Sequence, residues 1–193
     1  MSEAKQEAFK TALEALIGAT KHSGAPNAPA GFRGEQSGAK LEHNVRRLFL
    51  DCLLDELGWT IGTNIVEEAR VKGKTTLFLD YLGVHVEERI PLLILEAKAG
   101  DEPFVSGATT AFSRQSPSEL ISLALHHIKN ETTTQKPVIS DWLNWLKQLH
   151  GYVNKMLTQS GHLVSRVAIA NEHWIVIFTD PEAAFTKNAP VNP

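Results

Sequence analysis

The amino-acid sequence predicts an α/β domain, and three observations lead there. Two stretches, Leu41 to Leu57 and Ser140 to about Leu157, carry apolar residues at helical spacing. Between them, TTLFLDYLGVHV, EER and IPLLILEAKA read as a β-hairpin whose second strand is apolar at nearly every position. After the second helix, RVAIANEHWIVIFTD supplies two further short strands that close the core.

Taken in order, residues 1–21 form an extra N-terminal amphipathic helix, with Phe9, Leu13, Leu16 and Ile17 at helical spacing. Residues 22–40, containing SGAPNAPAGFRGEQSG, have the composition of a linker. In the helix from Leu41, a rotation of about 100° per residue puts Val45, Phe49, Leu53 and Leu57 on one side. Leu48 and Cys52 fall beside them, so Cys52 is expected as buried filler. Gly58 supplies the stop, and Val66 to Arg70 is a short strand. In the hairpin, EER is expected as the loop and Val86 as the partner of Ile90. Asp101 to Ser116 lacks a pattern, Pro117 to Lys129 is a helix, and Thr132 to Pro137 is a polar break. Ser140 is the expected N-cap of the second strong helix. Residues 181–193, PEAAFTKNAPVNP, show no packing pattern and read as a tail toward a further domain. The globular domain is therefore expected over 41–180.

Composition narrows the function classes. A chain of 193 residues with 42% hydrophobic and 21% charged residues suits one soluble globular domain. It has no apolar run of about 18 residues, and its N-terminus lacks the basic head and apolar middle of a secretory signal. A single cysteine excludes an internal disulfide and suits a reducing, cytoplasmic interior. The net charge of −3 denies the chain the basic surplus of proteins that grip phosphate backbones unaided. A local set (Arg46, Arg47, Arg70, Lys72 and Lys74), a further domain or a protein partner would have to supply that grip.

The chemistry is concentrated in the hairpin. A strand buried on both faces should not end in Glu96 and Lys98 without reason, because an unpaired buried charge is costly. Side chains two apart share a face, so Glu96 and Lys98 point the same way, with Cα atoms roughly 7 Å apart. Pairing Val86 with Ile90 carries Asp80 to the position opposite Glu96, with Cβ atoms roughly 5 Å apart. Two carboxylates so close repel unless something neutralises them. A divalent cation does so, and all-oxygen ligands favour Mg²⁺ or Mn²⁺ over zinc. Lys98 could then hold a water and stabilise charge growing on a phosphate. Glu42 begins the core-facing stripe of the first strong helix and could reach this site, although Glu56 lies on the same face. Gln148 and Tyr152, four apart, share a side of the second helix and offer an amide and a phenol.

Asp80 followed at this interval by Glu96-Ala97-Lys98 resembles the signature of the PD-(D/E)xK nuclease superfamily, and Gln148-Leu-His-Gly-Tyr152 is similar to the QxxxY motif of its RecB-like branch. The order of helix acid, LGW turn, LDY strand, PLLILEAK strand and closing ANEHWIVIF resembles the N-terminal nuclease domain of type I restriction enzyme R subunits, over roughly Leu41 to Asp180. The resemblance implies a restriction-endonuclease-like core with a mixed sheet flanked by helices. It implies Mg²⁺-dependent phosphodiester cleavage, with Mn²⁺ as substitute, usually of DNA, in defence or DNA processing. By position, Glu42, Asp80 and Glu96 would be the metal-linked acids, Lys98 the catalytic lysine, and Gln148 and Tyr152 the supporting pair. Leu79 stands where many members carry proline. The alternative is a silent nuclease-like module that binds nucleic acid or a partner protein without cutting.

Overall fold

The computed structural model describes residues 3–22, 42–71, 76–130 and 135–186. The expected linker, apart from His22, lies outside them, as do Lys72 and Lys74 of the basic set, part of the 132–137 break and the end of the tail from residue 187.

The fold is α/β. Five strands, β1 (Ile65–Val71), β2 (Leu77–Val84), β3 (Pro91–Ala97), β4 (Arg166–Ala170) and β5 (Ile175–Phe178), form one sheet in the order β1-β2-β3-β4-β5. The β3–β4 pair is parallel and the other pairs are antiparallel, so the sheet is mixed. Helices flank it on both sides. Glu42–Val45 (α2), a π-helical turn at Arg46–Leu50 and Asp51–Glu56 (α3) run on without a break. They pack with Ile65, Tyr81, Leu95, Ala97, Ala168 and Ala170 on one face of the sheet. The N-terminal helix α1 (Glu3–His22) lays Phe9, Leu13, Leu16 and Ile17 against this same cluster. The other face is covered by α4 (Pro117–Lys129) and α5 (Ser140–Ser160), which pack on Ile94, Val167 and Ile169. Val167 and Ile169 face one layer while Ala168 and Ala170 face the other, the alternation a two-faced buried strand requires.

Local chemistry explains where the helices begin and end. Gly58 has φ 83, and the bonds Trp59 N–H to Leu54 O (2.9 Å) and Gly58 N–H to Asp55 O (2.8 Å) complete a Schellman stop. The chain then lays the Trp59 ring on Gly83, where an added Cβ would come within 2.8 Å of it. Helix α4 opens with a full capping box between Ser116 and Glu119, with Pro117 in the first turn.

The π turn overturns part of the expected stripe. Its wider spacing moves the buried set to Val45, Phe49, Leu50, Leu53 and Leu54. Leu48 and Leu57 are exposed, and so is Cys52, which is not core filler. Ser140 is not the cap of α5 either. Ile139 holds that position in extended backbone, with its N–H bonded to Ser106 O, and no side chain caps the helix. Nor is the chain unpacked beyond Asp180. Asp180 caps a further short helix, α6 (Pro181–Phe185), through Ala183 N–H (2.9 Å), and Phe185 is fully buried against Phe178. The packed domain thus extends past the boundary expected at residue 180.

Candidate active site

The hairpin does not close as its sequence implies. His85 donates its N–H to Ile90 O (2.9 Å), which makes Val86–Arg89 the loop, with Arg89 at φ 56. Val84 pairs with Pro91 but Gly83 pairs with Leu93, so Leu92 is the extra residue of a bulge. The bulge restores the expected register, and the ladder runs Gly83–Leu93, Leu82–Ile94 and Tyr81–Leu95. The pairing ends there; one step further the same register would set Asp80 opposite Glu96.

At that step the strands part. Ile65 and Tyr81 pack with the α2–α3 layer, whereas Ala69, Val71 and Leu79, of the same parity, pack with the α4–α5 layer. The change of side falls at Glu68, whose φ is 48, and at Asp80. Here β1 and β2 roll away from β3 together, and the Ala97 N–H is taken up by Asp80 Oδ2 at 2.8 Å. Asp80 therefore sits in the opening between the two halves of the sheet.

Glu96 and Lys98 lie on the α5 side of that opening, both buried. Lys98 Nζ donates to Glu96 Oε1 at 2.9 Å, and the Gln148 amide donates to the same oxygen at 2.8 Å. Glu96 Oε2 is buried with no hydrogen-bond partner. Gln148 also donates to the Tyr152 hydroxyl, which in turn donates to Phe78 O at 2.6 Å. The amide and phenol on α5 thus link Glu96 to the departing end of β2. Trp145, three residues before Gln148, places its ring 5.6 Å from Lys98 Nζ.

Electrostatics ties these groups together. Burial pushes the Glu96 carboxyl up to about 7, Lys98 opposes the rise, and the charge of Asp80 adds to it. Glu42 is held above its ordinary value by burial of its carboxyl and then by Asp80, against the pull of Lys98 and Arg46. Tyr152 is raised to about 12, by burial first and the Glu96 charge second. The helix acid thus stands within the field of Asp80 and Lys98, although the residue as a whole is exposed. Glu56 is exposed as well.

Sequence reasoning passed over Arg46 as part of the site. Its guanidinium lies 3.6 Å from Asp80 Oδ1, 3.5 Å from Glu68 Oε1 and 3.4 Å from Glu67 Oε1, and 5.1 Å from the centre of the Tyr81 ring. Its spacing of four from Glu42 at a helix start was the available signal. Arg46 is thereby taken out of the expected basic rim, and Arg70 stacks over Phe78.

Asp80 and Glu96 offer carboxylate oxygens of the kind a hard cation takes, one of them buried without a partner. Among the described residues no group of three or more His, Cys, Asp or Glu side chains is placed so that it could hold a metal ion. Nor is any described helix long and apolar enough to cross a membrane. The chain matches no protein-family model, no curated protein and no solved structure.

Proposed function

We propose that this protein is a divalent-metal-dependent nuclease of the PD-(D/E)xK type that hydrolyses phosphodiester bonds, with DNA as its target. The supporting observation is the state of Glu96: one oxygen bonded by both Lys98 and Gln148, the other buried and unpartnered, with the charge of Asp80 acting on the carboxyl. A buried carboxylate oxygen without a donor is costly unless a ligand serves it.

Asp80 and Glu96 would hold Mg²⁺ or Mn²⁺, with Glu42 as a third oxygen donor. When bound, the ion supplies Lewis acidity and lowers the pKa of water. The chain's own residues do the rest. Gln148 keeps Glu96 oriented if Lys98 turns away from it, and Tyr152 fixes Gln148. Lys98, its amine beside the Trp145 ring, would bring a positive charge to where charge builds on the phosphate. A cytoplasmic defence or DNA-processing role fits this chemistry and the lone thiol.

A non-cutting module is favoured by one observation: the net charge of −3, with Arg46 engaged by acids rather than offered to a phosphate backbone. Incubation of duplex DNA, single-stranded DNA and RNA with Mg²⁺ or Mn²⁺ separates the two readings. Cleavage by the wild type that disappears in Lys98→Ala and Glu96→Gln supports the nuclease. Equal, background-level degradation by all three proteins supports the module.

A further inference from the structure

We propose that Arg46 is a built-in counter-cation for Asp80, a positioning residue that holds this carboxylate until a divalent ion displaces it and that thereby sets the ion affinity of the site. This rests on the metal-dependent reading above and adds a regulator to it.

The inference comes from how Arg46 is seated. It belongs to the π turn, where an extra residue per turn redirects side chains, a feature often found at functional sites. Its guanidinium lies between an inner and an outer set of acids. The inner acid is Asp80, whose side chain is 15% exposed; the outer ones are Glu67 and Glu68, at 39% and 74%. Arg46 itself is 12% exposed, and its Nε is buried with no partner. The separations, 3.4–3.6 Å, are those of ion pairs without close bidentate hydrogen bonding.

Such a seat is reversible. Asp80 Oδ2 is committed to the Ala97 N–H, which leaves Oδ1 for a cation, and the cation now nearest is Arg46. If a divalent ion takes Oδ1, the guanidinium keeps two partners on β1 and is not stranded as an unpaired buried charge. Glu68 holds its place with a left-handed backbone, φ 48, a conformation costly for a non-glycine residue. That kink is what turns the adjacent acids of β1 toward one guanidinium.

The test is Mn²⁺ binding to the full chain, read by calorimetry or by loss of the free-ion EPR signal, together with thermal melts with and without Mn²⁺. Arg46→Met should tighten Mn²⁺ binding by about tenfold, the scale expected when a unit positive charge a few ångströms away is removed. It should also lower the melting temperature in EDTA and recover most of that loss when Mn²⁺ is added. Arg47→Met removes the same charge from the exposed neighbouring residue and should change the affinity by less than about twofold. Arg46→Lys should fall between wild type and Arg46→Met, and it serves if the methionine variant does not fold. Equal effects at Arg46 and Arg47, unchanged affinity in Arg46→Met, or a stability loss that Mn²⁺ leaves untouched would overturn the role of Arg46 while leaving the metal site standing. If neither the wild type nor any variant binds Mn²⁺, the metal-dependent reading fails, and this inference with it.

Discussion

Asp80 accepts from the Ala97 main-chain N–H at the point where β2 leaves β3, so one carboxylate both ends the ladder and lines the candidate site. The two roles can be separated by substitution. Asp80→Asn keeps an acceptor for the amide, whereas Asp80→Ala strands a backbone donor at a buried residue. The alanine variant should lose about 1–3 kcal/mol more stability than the asparagine variant in urea unfolding. Both should lose nuclease activity, because neither retains the charge. Equal stabilities would mean that the Asp80–Ala97 bond is not what holds the strands at their parting.

The Gln148–Tyr152 pair should behave as one unit. Gln148 has two amide hydrogens, one given to Glu96 and one to Tyr152, and Tyr152 spends its own hydrogen on Phe78 O. Either Gln148→Leu or Tyr152→Phe breaks the chain from Glu96 to β2. A double-mutant cycle on unfolding free energy should therefore show a coupling of about 0.5–3 kcal/mol. Additive losses would separate the two residues energetically and weaken the case that Tyr152 orients the amide.

Glu96 makes stability depend on pH. Its folded-state value, about 7, lies above the ordinary value of 4.5 because burial penalises the charged form. Between these values the folded protein binds more protons than the unfolded chain, so stability falls as pH rises through this window. Below about 4.5 both states are protonated and the penalty vanishes; above about 7 it is constant. Glu96→Gln removes this titration. Between pH 4.5 and 8, in EDTA, the difference in unfolding free energy should move in favour of the variant by on the order of 3 kcal/mol. The absolute stability of the variant also reflects the loss of the Lys98 partner, so the slope is the quantity to compare. Parallel pH curves would show that Glu96 is not held above its ordinary range.

The site was legible in the sequence to the extent that it depends on strand alternation. Glu96 and Lys98 share a face because the two-residue period of β3 holds, and Gln148 and Tyr152 share a side of α5 through a four-residue spacing, whereas Asp80 lies where the alternation of β2 breaks. The expected register of β2 against β3, seen as far as Tyr81–Leu95, was reached through compensating departures. The loop is one residue longer than EER, and the bulge at Leu92 takes up the difference. What could not be read depended on local departures from ideal periods. A constant turn of about 100° per residue has no place for the π turn, so it misassigned Cys52 and Leu48 and hid the approach of Arg46 to Asp80. The roll of β1 and β2 at Glu68 likewise leaves no trace in a pattern of alternating residues, because the positive φ falls on a glutamate and not a glycine.

Phe185 tests the most consequential correction to the domain boundary. Helix α6 is too short to show periodicity, although Asp180 followed by Pro181 is a recognisable helix start. Three separate contacts hold it. Phe185 packs edge-on to Phe178 with ring centres 4.8 Å apart, Asn154 on α5 donates to Phe185 O at 2.8 Å, and buried Lys129 on α4 donates to Ala183 O at 2.7 Å. The segment therefore joins α4, α5 and β5 in a single core. Phe185→Ala should cost about 3–5 kcal/mol in urea unfolding, the range for emptying a fully buried aromatic site. A chain ending at Asp180 should be destabilised by at least as much, since it also exposes Phe178 and leaves Lys129 without its carbonyl. Were the shortened chain to unfold at the same urea concentration as the full one, α6 would be an appendage and the domain would end where the sequence first implied.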